Sequence, residues 1–200
     1  MKTAKTRTCY VFIFEGFSDW ESALVMPGLH LFTDVEVKTV SVDGKPVTTL
    51  GNLTVVPDTS LAQVTDKDID LLILPGGNDW EKGGNLEIKP LVDRMLQTNK
   101  GVAAICGATI FLAQQGYLET VPHTSNHLGY MKSVAPEYKG DTFYLEKPAV
   151  QADNLITASG TAMIQFAYEI FRYLDVSENE NLKFWFNFFL DTLPKREAFH

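Results

Sequence analysis

The chain has 200 residues, 45% of them hydrophobic and 21% charged, with a formal net charge of −8. That length and balance fit one globular domain over 1–200 with a core of good size, 176–200 forming a C-terminal helical extension. The negative charge argues against a nucleic-acid binder, which needs a basic footprint, and no window approaches the roughly 18 apolar residues of a membrane span.

The N-terminus is basic and then apolar over Tyr10–Phe14, with no small-residue cleavage site behind it, so it reads as a start feeding a first strand rather than a signal peptide. The two cysteines, Cys9 and Cys106, are far apart and form no ligand-spaced motif, which points to the reducing cytoplasm. Cys9–Phe14 is a continuous apolar run of β-formers, as expected for a strand buried on both faces. Ser18–Phe32 reads as a helix, with Ser18-x-x-Glu21 in the form of a capping box at its start. Val35–Val42 alternates as a second strand, and Val47–Leu50 with Leu53–Val56 reads as a hairpin about Gly51-Asn52. Asp70–Leu74 is another buried strand, stopped by Pro75-Gly76-Gly77. Leu86–Asn99 carries a helical stripe of Leu91, Val92, Met95 and Leu96.

The run Val102–Ile105 ends abruptly at Cys106, and a helical pattern follows Gly107 and stops at Gly116. Strand, tight turn and helix, with a thiol at the turn, is the pattern of a nucleophile elbow. A helix N-terminus beside the sulfur favours thiolate over thiol. A second reading makes Cys106 a small core residue, since free cysteine is often buried. Beyond it, Phe143–Val150 and Leu155–Ala158 read as two short strands about Asp153-Asn154, and Thr161–Leu174 and Glu178–Leu193 as closing helices. The last contains Phe184-Trp185-Phe186-Asn187-Phe188-Phe189-Leu190, which must pack on the sheet or make a dimer contact. Apolar strands alternating with helices predict a doubly wound, mostly parallel α/β sheet with helices on both faces.

In such sheets function gathers at the carboxyl ends of the strands. Three of these ends are unusual: Glu15-Gly16-Phe17-Ser18-Asp19-Trp20-Glu21, Pro75-Gly76-Gly77-Asn78, and Cys106. The glycines are either a sharp turn or a source of backbone N–H groups for an oxyanion. The order of an early Gly-x-x-x-x-Glu, a Leu-Pro-Gly-Gly-Asn and an Ala-Ala-Ile-Cys-Gly elbow resembles the PfpI-like superfamily, from Cys9 to about Leu174. That superfamily shares the flavodoxin-like, class I glutamine-amidotransferase-like fold and includes intracellular proteases, amidases and a redox protein associated with Parkinson's disease. Pro27 in the first helix and Ala158-Ser159-Gly160-Thr161 also fit its pattern.

The resemblance implies Cys106 as the nucleophilic or oxidisable cysteine, Glu21 as the carboxyl against its sulfur, and Gly76, Gly77 and Gly107 as backbone donors. Gly107 stands where protease-like relatives carry histidine. In His123-Thr124-Ser125-Asn126-His127 the family's later histidine position falls on Asn126, with a histidine on each side. We take His123 as the candidate base, with His127 as the alternative, and which of His123, Asn126 and His127 faces Cys106 stays open at this point. His123 and His127 at i, i+4 could pair on a metal, but there is no glutamate companion, so neither metal nor cofactor is expected. The expected function is a cysteine-dependent hydrolase, amidase or glyoxalase-type lyase acting on a small-molecule amide or reactive carbonyl, and general protease activity is not expected. The alternatives are a redox or electrophile-stress sensor using reversible oxidation of Cys106, and a binding subunit without activity. A homodimer is expected, with neither nucleic acid nor membrane as partner. An imidazole within reach of the Cys106 sulfur would decide for hydrolysis.

Overall fold

Unbroken aliphatic runs cannot leave either face in water, so they assemble at the middle of a sheet covered on both sides. The computed structural model describes residues 7–65 and 69–191. The chain opens with β1 (Thr8–Phe12), α1 (Val25–Phe32) and β2 (Glu36–Ser41). An antiparallel pair, β3 (Val47–Thr48) and β4 (Thr54–Val55), and the short β5 (Thr59–Ser60) come next. Then follow β6 (Leu71–Leu74), α2 (Lys89–Gln97), β7 (Gly101–Ile105), α3 (Gly107–Gln114) and α4 (Leu128–Val134). The hairpin β8 (Ala149–Ala152) and β9 (Leu155–Ala158), then α5 (Met163–Tyr173) and α6 (Glu180–Asp191), complete the described chain. Seven strands form one sheet in the order β5-β2-β1-β6-β7-β9-β8. All its pairings are parallel except β8 with β9. β1, β6, β7 and β9 are buried along their whole length. This is the doubly wound, flavodoxin-like α/β fold expected, with an antiparallel edge.

Several expectations need correction. Residues 19–24 form turns, not the first part of a helix. The reason is tertiary: Phe17 bridges Gly77, and the Ser18 N–H bonds Gly76 O at 2.9 Å, which pins the chain to the end of β6. Pro27 then falls in the first turn of α1, where an intrahelical N–H partner is not required. Phe143–Val150 is not one strand. Asp141–Phe143 is a 3-10 turn, Tyr144 bridges His123, and β8 begins only after Pro148. β5 and α4, with 2 and 7 residues, are too short for periodicity to reveal. The aromatic tail packs on helices: Trp185 lies 5.8 Å from Phe32 of α1, and Phe186 6.3 Å from Phe171 of α5. The basic start at 1–6 and the end of the expected last helix at Thr192 and Leu193 lie outside the described residues.

Candidate active site

The sheet order brings the ends of β1, β6, β7 and β9 side by side. β7 delivers Cys106 into φ 58°, ψ −125°. A non-glycine residue at positive φ is strained, and such strain concentrates at functional turns. The Cys106 N–H bonds Ala158 O of β9 at 3.0 Å, and the Thr109 N–H returns to Cys106 O at 3.1 Å, so the elbow is held on both sides. The thiol is half-buried, whereas Cys9 is fully buried in β1.

Glu21 is fully buried. Its Oε2 accepts the Gly76 N–H at 2.5 Å, and its Oε1 has no hydrogen bond. The capping box is therefore not formed: the Ser18 N–H goes to Gly76 O, and the carboxyl leaves its own segment for the end of β6. Gly76 permits this, because a Cβ there would lie 2.7 Å from Glu21 Oε2 and 2.8 Å from Cys106 Cβ. The same bond removes Gly76 from the expected oxyanion donors. The Gly107 N–H is directed at the Cys106 sulfur. Gly77, at φ +157°, forms the bridge to Phe17.

Burial raises the Glu21 carboxyl to about 7, against the opposing pull of the Gly76 N–H and Cys106. Burial also pushes the Cys106 thiol up to about 11; the Glu21 charge adds to this, while the Asn126 amide and the Gly107 N–H oppose it. The thiolate favoured by the helix N-terminus alone is outweighed. Two acids this close titrate as a pair: the first proton leaves near neutral pH and the second stays between carboxyl and sulfur well above it.

Neither histidine reaches the thiol. His123 is fully buried, with Nδ1 2.7 Å from Val121 O and Nε2 2.6 Å from Tyr138 Oη. Burial lowers its pKa and keeps it neutral. His127 is the N-cap of α4, its Nδ1 accepting the Gly129 and Tyr130 N–H groups. The two are therefore not a ligand pair on one helix face. Among the described residues, no three His, Cys, Asp or Glu side chains gather as a metal site.

The group on the sulfur is Asn126, with Nδ2 3.3 Å from Cys106 Sγ. Its orientation is set by its other end, since Oδ1 accepts the Gly160 N–H at 2.7 Å, leaving only the NH₂ to face the thiol. Gly160 is the site residue that sequence reasoning missed; in the sequence it stands only within Ala158-Ser159-Gly160-Thr161, which fits the family pattern. A Cβ there would lie 2.7 Å from Sγ and 3.3 Å from Glu21 Oε1. One bare backbone position thus lies against both the Cys106 thiol and the Glu21 carboxyl.

A profile of the DJ-1/PfpI family matches residues 7–173. The chain belongs to the DJ-1/PfpI family. A Bacillus subtilis member named uncharacterized protease YoaZ is 42% identical over 98% of this chain and 95% of its own length. A Caenorhabditis elegans protein named a glutathione-independent glyoxalase is 31% identical, over 68% of this chain and 72% of its own. The crystal structure of a DJ-1 superfamily protein from Agrobacterium tumefaciens matches with a TM-score of 0.86 at 34% identity, covering 93% of this chain and 98% of that one. α6 lies beyond the span matched to the DJ-1/PfpI family.

Proposed function

We propose that this protein is a cysteine-dependent enzyme acting on a small reactive carbonyl compound, with Cys106 as nucleophile and Glu21 as the carrier of the proton. The observation that supports this reading is the Glu21–Cys106 pair beside a sulfur that no imidazole reaches. Cleaving a peptide needs a group that hands a proton to the leaving amine after acylation, and the expected base His123 is committed to Val121 and Tyr138. An aldehyde needs less. The sulfur adds to the aldehyde carbon of an α-oxoaldehyde, and the thiol proton passes to the new alkoxide, giving a hemithioacetal. Glu21, ionised near neutral pH, takes the proton from that carbon and returns it to the neighbouring ketone carbon, while the hydroxyl proton moves from the aldehyde-derived oxygen to the ketone oxygen. The aldehyde carbon is oxidised and the ketone reduced within one molecule, leaving a 2-hydroxyacyl thioester. Water cleaves the thioester, releasing the 2-hydroxy acid and the free thiol.

The glyoxalase name of the Caenorhabditis elegans relative supports this reading; the protease name of the Bacillus relative pulls the other way. A peroxide sensor and an attacking nucleophile both react as thiolate, so a thiol raised to about 11 weighs on both readings alike. Two unpaired cysteines support a reducing compartment. No helix among the described residues is long and apolar enough to cross a membrane. A homodimer remains part of the proposal, with the exposed Phe184 and Phe188 of α6 as a surface for the second copy.

The test is incubation of the purified protein with methylglyoxal and, in parallel, labelled casein. Formation of lactate that vanishes in Cys106→Ser, with casein intact, is expected. Casein cleavage lost in Cys106→Ser, or no lactate at all, overturns the proposal.

A further inference from the structure

The group that touches the sulfur, Asn126, sits at the end of an extended segment that is pinned residue by residue. The His123 N–H and carbonyl bond Phe143 O at 3.2 Å and the Leu145 N–H at 2.8 Å. The Thr124 N–H bonds Thr157 Oγ1 at 2.9 Å, and Thr124 Oγ1 donates to Lys147 O at 2.8 Å. These bonds tie the segment to β9 and to the loop before β8. They do not tie it to the elbow.

One contact does. Ser125 Oγ lies 2.6 Å from Thr109 Oγ1, both side chains being buried. Thr109 Oγ1 donates its single proton to Cys106 O at 2.6 Å. A hydroxyl has one proton and two acceptor sites, so Ser125 must be the donor to Thr109. The order is therefore fixed from Ser125 Oγ–H to Thr109 Oγ and from Thr109 Oγ–H to the carbonyl of Cys106. The residue after Ser125 is Asn126, and the side chain of Cys106 is the thiol it touches. Two hydroxyls thus join the backbone of the amide donor to the backbone of the nucleophile.

The geometry points to Ser125 and Thr109 as positioning residues that hold Asn126 Nδ2 on the Cys106 sulfur. They touch neither sulfur nor substrate; they act through the register between the elbow helix α3 and the extended segment before α4. The inference deepens the reading of Cys106 as nucleophile, but its consequence is a property of the thiol itself, so it can be measured without any substrate. Asn126 favours the charged sulfur, so loosening the hydroxyl pair must make the thiolate harder to form.

The experiment is the rate of Cys106 alkylation by iodoacetamide as a function of pH, followed by mass spectrometry, in Ser125→Ala, Thr109→Val, Asn126→Ala and the Ser125→Ala/Asn126→Ala double variant. Ser125→Ala and Thr109→Val are each expected to move the alkylation midpoint upward and slow labelling at pH 8 several-fold. Thr109→Ser and Ser125→Thr, which keep both hydroxyls, are expected to retain the parent midpoint. In the Asn126→Ala background, Ser125→Ala must add nothing to the midpoint, because residues acting through one partner are not additive. A lowered melting temperature with an unmoved midpoint overturns the inference, as does an additive double variant. If Thr109→Val does not fold, the Ser125 pair of variants decides alone. Loss of lactate formation with these midpoints confirmed would count against the carbonyl reaction, not against the positioning role.

Discussion

Glu21 accepts the Gly76 N–H at 2.5 Å, a bond made across 55 residues of sequence, and this contact takes the carboxyl away from its own segment and sets it at the end of β6. One oxygen is occupied by a backbone donor. The other is left to the Cys106 thiol.

Replacing that acid separates its two roles. Glu21→Gln keeps an oxygen for Gly76 and removes the titrating group. Because the Glu21 charge raises the thiol, the alkylation midpoint of Cys106 should fall, by about one unit or more. Lactate formation should fall at least about 100-fold, since no other group carries the proton. A midpoint that stays or rises would show that the carboxyl does not act on the sulfur.

The same carboxyl makes stability depend on pH. Its folded value, about 7, lies above the unfolded 4.5. Below 4.5 both states hold the proton. Between 4.5 and 7 the unfolded chain releases it while the folded protein keeps it, so stability falls as pH rises, by up to about 3 kcal/mol in all. Urea melts at intervals from pH 4.5 to 7.5 should show a smaller fall in Glu21→Gln than in the parent protein.

Gly160→Ala is expected to silence the site with little loss of fold. The added carbon would fall 2.7 Å from Sγ, so the thiol or the turn must shift. Alkylation should slow about tenfold or more while the melting temperature moves by only a few degrees.

His123 should behave as a core residue. Both of its ring nitrogens are engaged out of water. His123→Leu leaves Tyr138 Oη unpaired and should cost about 2–3 kcal/mol in denaturant melts. The pH midpoint of Cys106 alkylation should hold. A shifted midpoint without destabilisation would restore His123 to the reaction.

The two cysteines offer an internal comparison. Cys9 is fully buried, and burial raises its thiol far above the ordinary range. Labelling of the folded protein should mark Cys106 alone, with Cys9 following only in denaturant.

Much of this was readable in the sequence wherever the signal was local and long. The runs Cys9–Phe14, Asp70–Leu74 and Val102–Ile105 announce buried strands, and Ile105-Cys106-Gly107 announces the elbow. Ser18-x-x-Glu21 misled because the spacing names a local partner, while the true partner is at the end of another strand. His123 misled differently. Its segment does reach the thiol, but which side chain of an extended stretch turns toward the sulfur depends on what packs behind it. Tyr138 and Val121 claim the histidine, and Asn126 is the residue left facing the elbow. The Thr109–Ser125 pair has no sequence signature, since two hydroxyls 16 residues apart announce nothing until the turn between them is known.

β9 lies between β7 and β8, although it is made some 50 residues after β7. Gly160, at its exit, is the last piece of the site to be synthesised. A growing chain that has emerged through α3 already carries Cys106, Glu21 and Gly76, yet it lacks both Asn126 and the turn that orients it. It also lacks the strand whose carbonyl at Ala158 receives the Cys106 N–H. Thiol chemistry is thereby tied to completion of the sheet, and a truncated or stalled chain carries the same cysteine without its environment.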